Sequence, residues 1–385
     1  MSTPRRLVHV TTTDMSLELL LGPQLSAFVD AGYDVVGASA PGRYVGAIEA
    51  RGVRHVPLRH ATRSMAPYHD AAALVELRRL FRDLRPDIVH THNPKPGVYG
   101  RLAARSAHVP AIVNTVHGLY ALPEDPWAKR ALVYGLERMA AAASDAELVQ
   151  NPEDVPTLRR LGIAATKITV LGNGVDLARF RPGRVEPAAR RALRAAWGAD
   201  DDTVVVGAVG RLVWEKGYRE LFAAARALTG RRPRIRFVIV GGLDAAKADQ
   251  LGAEDLTAVE READLVGLGL RDDVDDLYGA MDLFVLASHR EGFPRAAMEA
   301  AASGLPVVAT NIRGCRQVVD DGRTGLLVPP RDSGAIAAAI ARLSDDATTR
   351  VDMGRAALAK AHAEFDDRRI VATTLATYDR LLERR

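Results

Sequence analysis

The sequence predicts an α/β protein of two Rossmann-like domains facing a central cleft. Three observations predict it. Short β-branched runs alternate with longer amphipathic stretches almost throughout. The alternation breaks once, in a polar, proline-containing segment between Arg181 and Asp202. It then resumes as a second βα series. Such βαβα order implies parallel sheets covered by helices.

The first series has strands at Leu7–Thr13, Asp34–Ser39, Asp87–Thr91, Ala111–Val116, Glu147–Gln150 and Ile168–Leu171. Helical spacing lies between them, as in Leu74, Leu77, Phe81 and Leu84. The boundary runs Arg-Pro-Gly-Arg-Val-Glu-Pro from Arg181, carries a short helix around Arg190–Trp197, and ends in Asp200-Asp201-Asp202. The second series has strands at Thr203–Gly210, Arg236–Gly241, Leu265–Gly267, Leu283–Ala287, Val307–Thr310 and Gly325–Val328. The expected division is residues 1–180, residues 203–365, and a C-terminal helix in 366–385 that packs back on the first domain. Open parallel sheets bind ligands beyond the carboxyl ends of their strands, so both sets of loops should serve the cleft.

Composition narrows the function classes. Of 385 residues, 48% are hydrophobic and 26% charged, which are ordinary globular proportions. The only cysteine is Cys315, so no disulfide forms within the chain. A net charge of +4 is mildly basic and suits an anionic small ligand. No run reaches the roughly 18 apolar residues that span a bilayer. The N-terminus has basic Arg5 and Arg6 but places His9, Thr11, Asp14 and Glu18 where a signal peptide needs an apolar core. A cytoplasmic protein is expected. Arg78, Arg79, Arg82 and Arg85 beside Leu77, Phe81 and Leu84 form a basic amphipathic surface that could meet the inner face of a membrane.

The strongest chemical signal follows strand Leu283–Ala287. Glu291 stands in a loop, Pro294 suits the first turn of a helix, and Glu299 follows about two turns along it. A carboxylate accepts two hydrogen bonds, which suits a vicinal diol. The second signal is the glycine-bounded loop Gly210-Arg211-Leu212-Val213-Trp214-Glu215-Lys216-Gly217. Arg211 and Lys216, five residues apart, can straddle a diphosphate and stabilise it as it departs. The spacing is not a Walker loop, and no Gly-x-Gly-x-x-Gly follows the first strand, which argues against a nicotinamide dehydrogenase. His90 and His92 share one strand face, but no third ligand sits at an evident spacing, so no metal is expected. Asp273 is expected to cap the helix entering Leu277.

The Glu-x7-Glu segment, the Gly-Arg-Leu-x3-Lys-Gly loop, Gly304-Leu305-Pro306-Val307-Val308-Ala309-Thr310 and Gly172-Asn173-Gly174-Val175-Asp176 together resemble glycosyltransferase family 4. The likeness runs from about residue 7 to 343. The N-terminal half, with Val10–Asp14 and His90–Lys95, is similar to bacterial members that assemble surface polysaccharides or lipid-linked glycans. The resemblance implies a GT-B fold and a retaining transferase using a nucleotide sugar, most simply a UDP-sugar. The acceptor would be a hydroxyl of a glycan, a lipid-linked glycan or a small molecule. No metal, other cofactor or nucleic acid is implied. Arg211 and Lys216 would hold the diphosphate. Glu291, with the amides of Gly292 and Phe293, would meet the donor sugar, and Gly210 would approach it closely. Glu299 would bind the ribose, Leu268 and Leu270 would line the base, and His117 would reach the sugar. Asp14, Ser16, Asn93 and Lys95 are the acceptor-side candidates. The first β–α loop, Thr13-Asp14-Met15-Ser16, lacks the glycine pair of many members, which leaves phosphate contact there unsupported. The competing accounts are a nucleotide-sugar 2-epimerase and a non-catalytic sugar-nucleotide-binding partner of another transferase.

Overall fold

The structure is a computed structural model that describes residues 4–62, 67–92, 94–121, 125–243 and 249–384. The chain forms two compact units, Met1–Asn173 with Asp367–Arg385, and Gly174–Asp366.

The first unit holds β1 (Arg6–Thr13), β2 (Asp34–Ala40), β3 (Arg54–Pro57), β4 (Ile88–His92), β5 (Ala111–Val116), β6 (Ala146–Val149) and β7 (Ile168–Val170). They form one parallel sheet in the order β3-β2-β1-β4-β5-β6-β7. Strand residues alternate between two cores, because successive side chains point to opposite faces. Leu7, Val35, Ile88 and Val113 face one core, while Val8, Val10, Val36 and Val89 face the other. The first core is covered by helix Gly22–Asp30 through Leu25 and Phe28, and by the C-terminal helix Asp367–Glu383 through Ile370, Tyr378 and Leu381. Phe28 and Tyr378 are both fully buried.

The second unit holds β8 (Val204–Val209), β9 (Ile235–Val240), β10 (Leu265–Gly267), β11 (Leu283–Leu286), β12 (Val307–Thr310) and β13 (Gly325–Val328). They too form a parallel sheet, in the order β10-β9-β8-β11-β12-β13. Val204, Val206 and Ala208 face one core; Val205, Phe284 and Leu286 face the other.

Three details differ from the sequence expectations. The second unit begins at Gly174 rather than at residue 203. The reason is helix Pro187–Ala196: Leu193 and Trp197 pack into the second unit's core, and Arg194 donates to Asp282 at 2.8 Å. Strand β3 was not expected, since it has four residues, one apolar aliphatic side chain and a proline, and it lies at the sheet edge. Helix Pro67–Leu84 turns Leu77 and Phe81 into the core, with Leu84 packed against it. Its basic side therefore carries no matching apolar surface from those three residues. Among the described residues, no helix is long and apolar enough to cross a membrane.

Candidate functional site

In each sheet, strand order reverses beside the first strand of the unit. Loops leave β1 and β4, and β8 and β11, on opposite sides, and the carboxyl ends of such strand pairs are the usual ligand crevice of open α/β sheets. In the second unit both strong sequence signals fall on these two loops.

The loop after β8 runs Gly210–Gly217, and the loop after β11 runs Ser288–Pro294. They are joined by a hydrogen bond from the His289 amide to the Glu215 carbonyl at 2.9 Å and by His289 Nε2 against Glu220 Oε1 at 3.1 Å. Gly217 is required at its position. Its φ is +76°, and a Cβ there would lie 1.9 Å from the Ala287 carbonyl oxygen. A Cβ on Gly241 would meet the Gly210 carbonyl oxygen at 1.8 Å, so the loop after β9 also closes tightly on this turn.

This packing brings Lys216 Nζ to 2.6 Å from Glu291 Oε1, across 75 residues of sequence. Ser288 Oγ donates to the same oxygen at 2.8 Å. Both charged side chains are partly buried, which strengthens a charge-assisted bond relative to one in open water. Arg211 is exposed on the same loop. Gly292 and Phe293 follow Glu291, and Phe293 packs edge-on against Phe365 at 5.9 Å.

Helix Arg295–Ala302 begins directly after Pro294, so Glu299 lies little more than one turn along it, rather than two. The Tyr278 hydroxyl, with one proton to give, lies 3.2 Å from Glu299 Oε2 and 3.1 Å from the Ala296 carbonyl, while Arg295 Nε donates to Glu299 Oε1 at 3.1 Å. Burial holds the Glu299 carboxyl above its ordinary range, against the opposing pull of Arg295. Beyond β10, Leu268 is half-buried and Leu270 is 58% exposed, with Leu270 Cβ close to Gly242. The segment thus offers an apolar surface at a strand end. Asp273 sits at the N-terminal cap position of helix Val274–Gly279, but its side chain does not cap; both its oxygens bind Arg271, at 2.8 and 2.5 Å.

In the first unit, His117 follows β5 and is half-buried. Its Nε2 lies 3.1 Å from His92 Nδ1, and His92 Nε2 lies 2.9 Å from His9 Nδ1. Sequence spacing alone did not show His9 as a member of this group. It stands in register with His90 on the neighbouring strand, so sheet pairing, not sequence spacing, assembles the cluster. Burial lowers the His117 pKa to about 4 and the His9 pKa to about 3, and holds His90 and His92 well below the ordinary histidine value. His9, His90 and His92 offer ligand atoms within 4.8 Å of one another, the spacing a metal would require. Two of the three ring pairs are stacked, at 18° between His9 and His92 and 30° between His90 and His92, the third is tilted at 38°, and His9 Nδ1 and His92 Nε2 are engaged with each other at 2.9 Å.

The acceptor-side candidates are engaged locally. Asp14 accepts from the amides of Met15 and Tyr44, both at 2.8 Å, and so pins the loop after β2. Ser16 opens a short helical turn, with its hydroxyl 3.4 Å from that of Thr13. Lys95 pairs with Asp70 at 2.5 Å and donates to Thr62 at 3.0 Å. Asn93 lies outside the described residues.

Comparison with known proteins fits this division. Residues 24–179 match the family model described as Glycosyltransferase Family 4, and residues 189–360 the model described as glycosyl transferases group 1. Over 288 residues the chain is 33% identical to the UDP-Gal:alpha-D-GlcNAc-diphosphoundecaprenol alpha-1,3-galactosyltransferase of Escherichia coli, covering 74% of this chain and 73% of that protein. It is 26% identical to the capsular polysaccharide biosynthesis glycosyltransferase CapM of Staphylococcus aureus, over 98% of each chain. Among solved structures, Anabaena Alr3699/HepE in complex with UDP and glucose aligns with a TM-score of 0.81 at 20% identity, covering 97% of this chain and 99% of that chain. What is shared at that identity is the GT-B fold of two Rossmann-like units.

Proposed function

Since the chain belongs to glycosyltransferase family 4, we propose that it moves a sugar from a UDP-sugar to a hydroxyl of a lipid-linked or polysaccharide acceptor, with retention at the anomeric carbon. The observation that carries this reading is the Lys216–Glu291 pair, held at 2.6 Å where the loops after β8 and β11 meet. Lys216 and exposed Arg211 bind the donor diphosphate. Glu291 accepts hydrogen bonds from sugar hydroxyls, supported by the amides of Gly292 and Phe293. Glu299 accepts from the ribose diol, and Leu268 and Leu270 line the base. His117 contributes a hydrogen bond to the substrate.

The bond from the anomeric carbon to the diphosphate breaks, and its electron pair passes to the phosphate oxygen. The two cations stabilise that developing charge. The acceptor hydroxyl attacks from the same face, and its proton passes to the departing diphosphate. No metal is assigned to the diphosphate, because Arg211 and Lys216 supply the positive charge. Asp275 is not available as a ligand: it is engaged by Arg179 at 3.0 Å and Arg184 at 2.7 Å.

The lipid-linked acceptor favours contact with a bilayer. We place that contact on helix Trp127–Ala143, which exposes Trp127 (80% exposed), Leu132 and Met139 and carries the basic residues Lys129, Arg130 and Arg138. That combination fits an anionic lipid surface. The protein should sediment with vesicles containing phosphatidylglycerol and not with phosphatidylcholine alone, and Trp127→Ala should weaken the sedimentation several-fold. Equal sedimentation of the variant would remove the assignment.

The function is tested with a panel of nucleotide sugars. A UDP-sugar should raise the thermal midpoint, and turnover should require an acceptor. Conversion of the donor by enzyme alone would point to epimerisation instead. Stabilisation by a bound donor follows from its selective affinity for the folded state.

A further inference from the structure

The first unit buries a run of hydrogen-bonded imidazoles, of which the proposed reaction uses only the last. His9 Nδ1 meets His92 Nε2 at 2.9 Å, and His92 Nδ1 meets His117 Nε2 at 3.1 Å. The two terminal nitrogens, His9 Nε2 and His117 Nδ1, are shielded from solvent and have no hydrogen-bond partner. His90 stacks on His92 with ring centroids 4.2 Å apart, and is itself held by Thr115 at 2.7 Å and by Tyr378.

Proton counting restricts this chain severely. A neutral imidazole carries one N–H and one lone pair. If His92 donates from Nδ1, it must accept at Nε2 from His9. His117 then accepts at Nε2 and carries its own proton on Nδ1. If His92 donates from Nε2, every position reverses, and His9 carries a proton on Nε2. With both bridges made, there are only these two states, so the tautomer of His117 is tied to that of His9.

The two states differ at their ends. His9 is 1% exposed and lies flat on Phe28, 5.4 Å between centroids at 10°. A proton on its Nε2 would be a buried donor facing no acceptor, whereas a bare lone pair there leaves no donor unsatisfied. His117 is half-buried, and a proton on its Nδ1, which like His9 Nε2 has no partner within the chain, is left for a substrate oxygen to accept. The His9 end therefore sets the state: its orphan nitrogen is sealed in the core, whereas His117 stands at the half-buried end of the run, where a substrate oxygen can take the Nδ1 proton.

We propose that His92 is a positioning residue that transmits the constraint at His9 to His117, holding His117 with its proton on Nδ1 so that it meets a hydroxyl or phosphate oxygen of the substrate as a donor. The substrate part rests on the proposed transfer; the tautomer does not. His90 does not join the run, because it already bonds Thr115 and Tyr378.

The test is nitrogen-15 NMR of the full chain labelled at histidine, with the His117 signals identified by their loss in His117→Ala. In the unmodified protein, His117 Nδ1 should resonate as a protonated nitrogen and Nε2 as a bare one. His9→Phe keeps the aromatic stack on Phe28 but removes the donor to His92, and should shift His117 towards a tautomer mixture. His92→Phe should do the same and lower kcat tenfold or more, with the donor KM within threefold. His92→Asn, whose amide can replace Nδ1, should restore both. A wild-type His117 protonated on Nε2 overturns the proposal, as do unchanged His117 signals in folded His9→Phe and His92→Phe. One zinc per chain, removed by chelator with release of these signals, would also overturn it. The NMR readings need no donor, so failure of the tautomer assignment is distinct from failure of the proposed transfer.

Discussion

In the second sheet the paired charged side chains stand on loops that follow the strands; in the first, three clustered histidines stand on the strands themselves. Both sheets wind in the same sense, with the first strand of each unit third from one edge. Lys216 and Glu291 reach one another at the ends of β8 and β11, partly exposed and charged, each the other's counter-ion. His9, His90 and His92 lie within β1 and β4 and are about 1% exposed. One winding therefore supports two electrostatic solutions. Loops at the strand ends keep charge near solvent, where an anionic ligand can replace a local partner. Strand positions desolvate their side chains, so a group there becomes neutral, as imidazole can, or is paired, as Glu147 of β6 is with buried Arg101 at 2.7 Å.

Acid should break the first unit well before it harms the second, and this is the largest effect expected. Burial lowers the folded pKa of His9 to about 3, and His90 and His92 also lie well below the unfolded value of 6.5. Below pH 6.5 the unfolded chain binds protons that the native chain does not, so stability is full above pH 6.5 and falls as pH drops towards the folded values. Each fully buried histidine costs about 1.4 kcal/mol per pH unit in that window, and the three together several kcal/mol by pH 5. Urea midpoints measured from pH 7.5 to 5 should fall steeply. Amide protection should be lost first in β1, β4 and β5. A flat profile would mean that these rings are hydrated.

Next in size is the charged pair of the second unit. Glu291→Gln and Lys216→Met should each lower kcat by roughly a hundredfold to a thousandfold, the range found when a transition-state electrostatic contact is removed. Thermal midpoints should stay close to that of the parent, because both side chains are partly exposed on loops. Turnover within a few-fold of the parent in both variants would detach this pair from the chemistry.

The two units also differ in how legible they were in the sequence. The strands of both were readable, because β-branched runs bounded by polar turns leave little choice. The exception, β3, has too few apolar residues to signal itself. The cations and carboxylates around Lys216 and Glu291 were readable because charged residues beside glycines at strand ends have few structural uses. Their supports were not. Ser288, Tyr278 and Arg295 bond to Glu291 or Glu299 only once helices and loops are packed, and residues of these types occur everywhere. The histidine relay was half legible. His90 and His92 share a strand face by their spacing, but His9 joins them through a strand pairing 81 residues away. The boundary was misplaced because the polar segment looks like a linker, while Leu193 and Trp197 within it are core residues of the second unit.

The smallest effect expected separates binding from chemistry within the second unit. Glu299 is held by Tyr278 and Arg295 and does not touch the Lys216–Glu291 pair in the hydrogen-bond pattern. Glu299→Gln keeps an oxygen for Tyr278 but removes the charge and one acceptor. If Glu299 holds the ribose, UDP affinity measured by calorimetry should weaken about tenfold, the worth of one charge-assisted hydrogen bond. At saturating donor, kcat should remain within threefold. Because burial raises the Glu299 pKa, the carboxylate is lost earlier as pH falls than an exposed glutamate would be. UDP affinity of the parent should therefore weaken on the acid side before the variant's does. A variant with parental UDP affinity and lowered kcat would place Glu299 with the chemistry rather than with the nucleotide. Unchanged affinity and unchanged kcat would leave it a structural partner of Tyr278 alone.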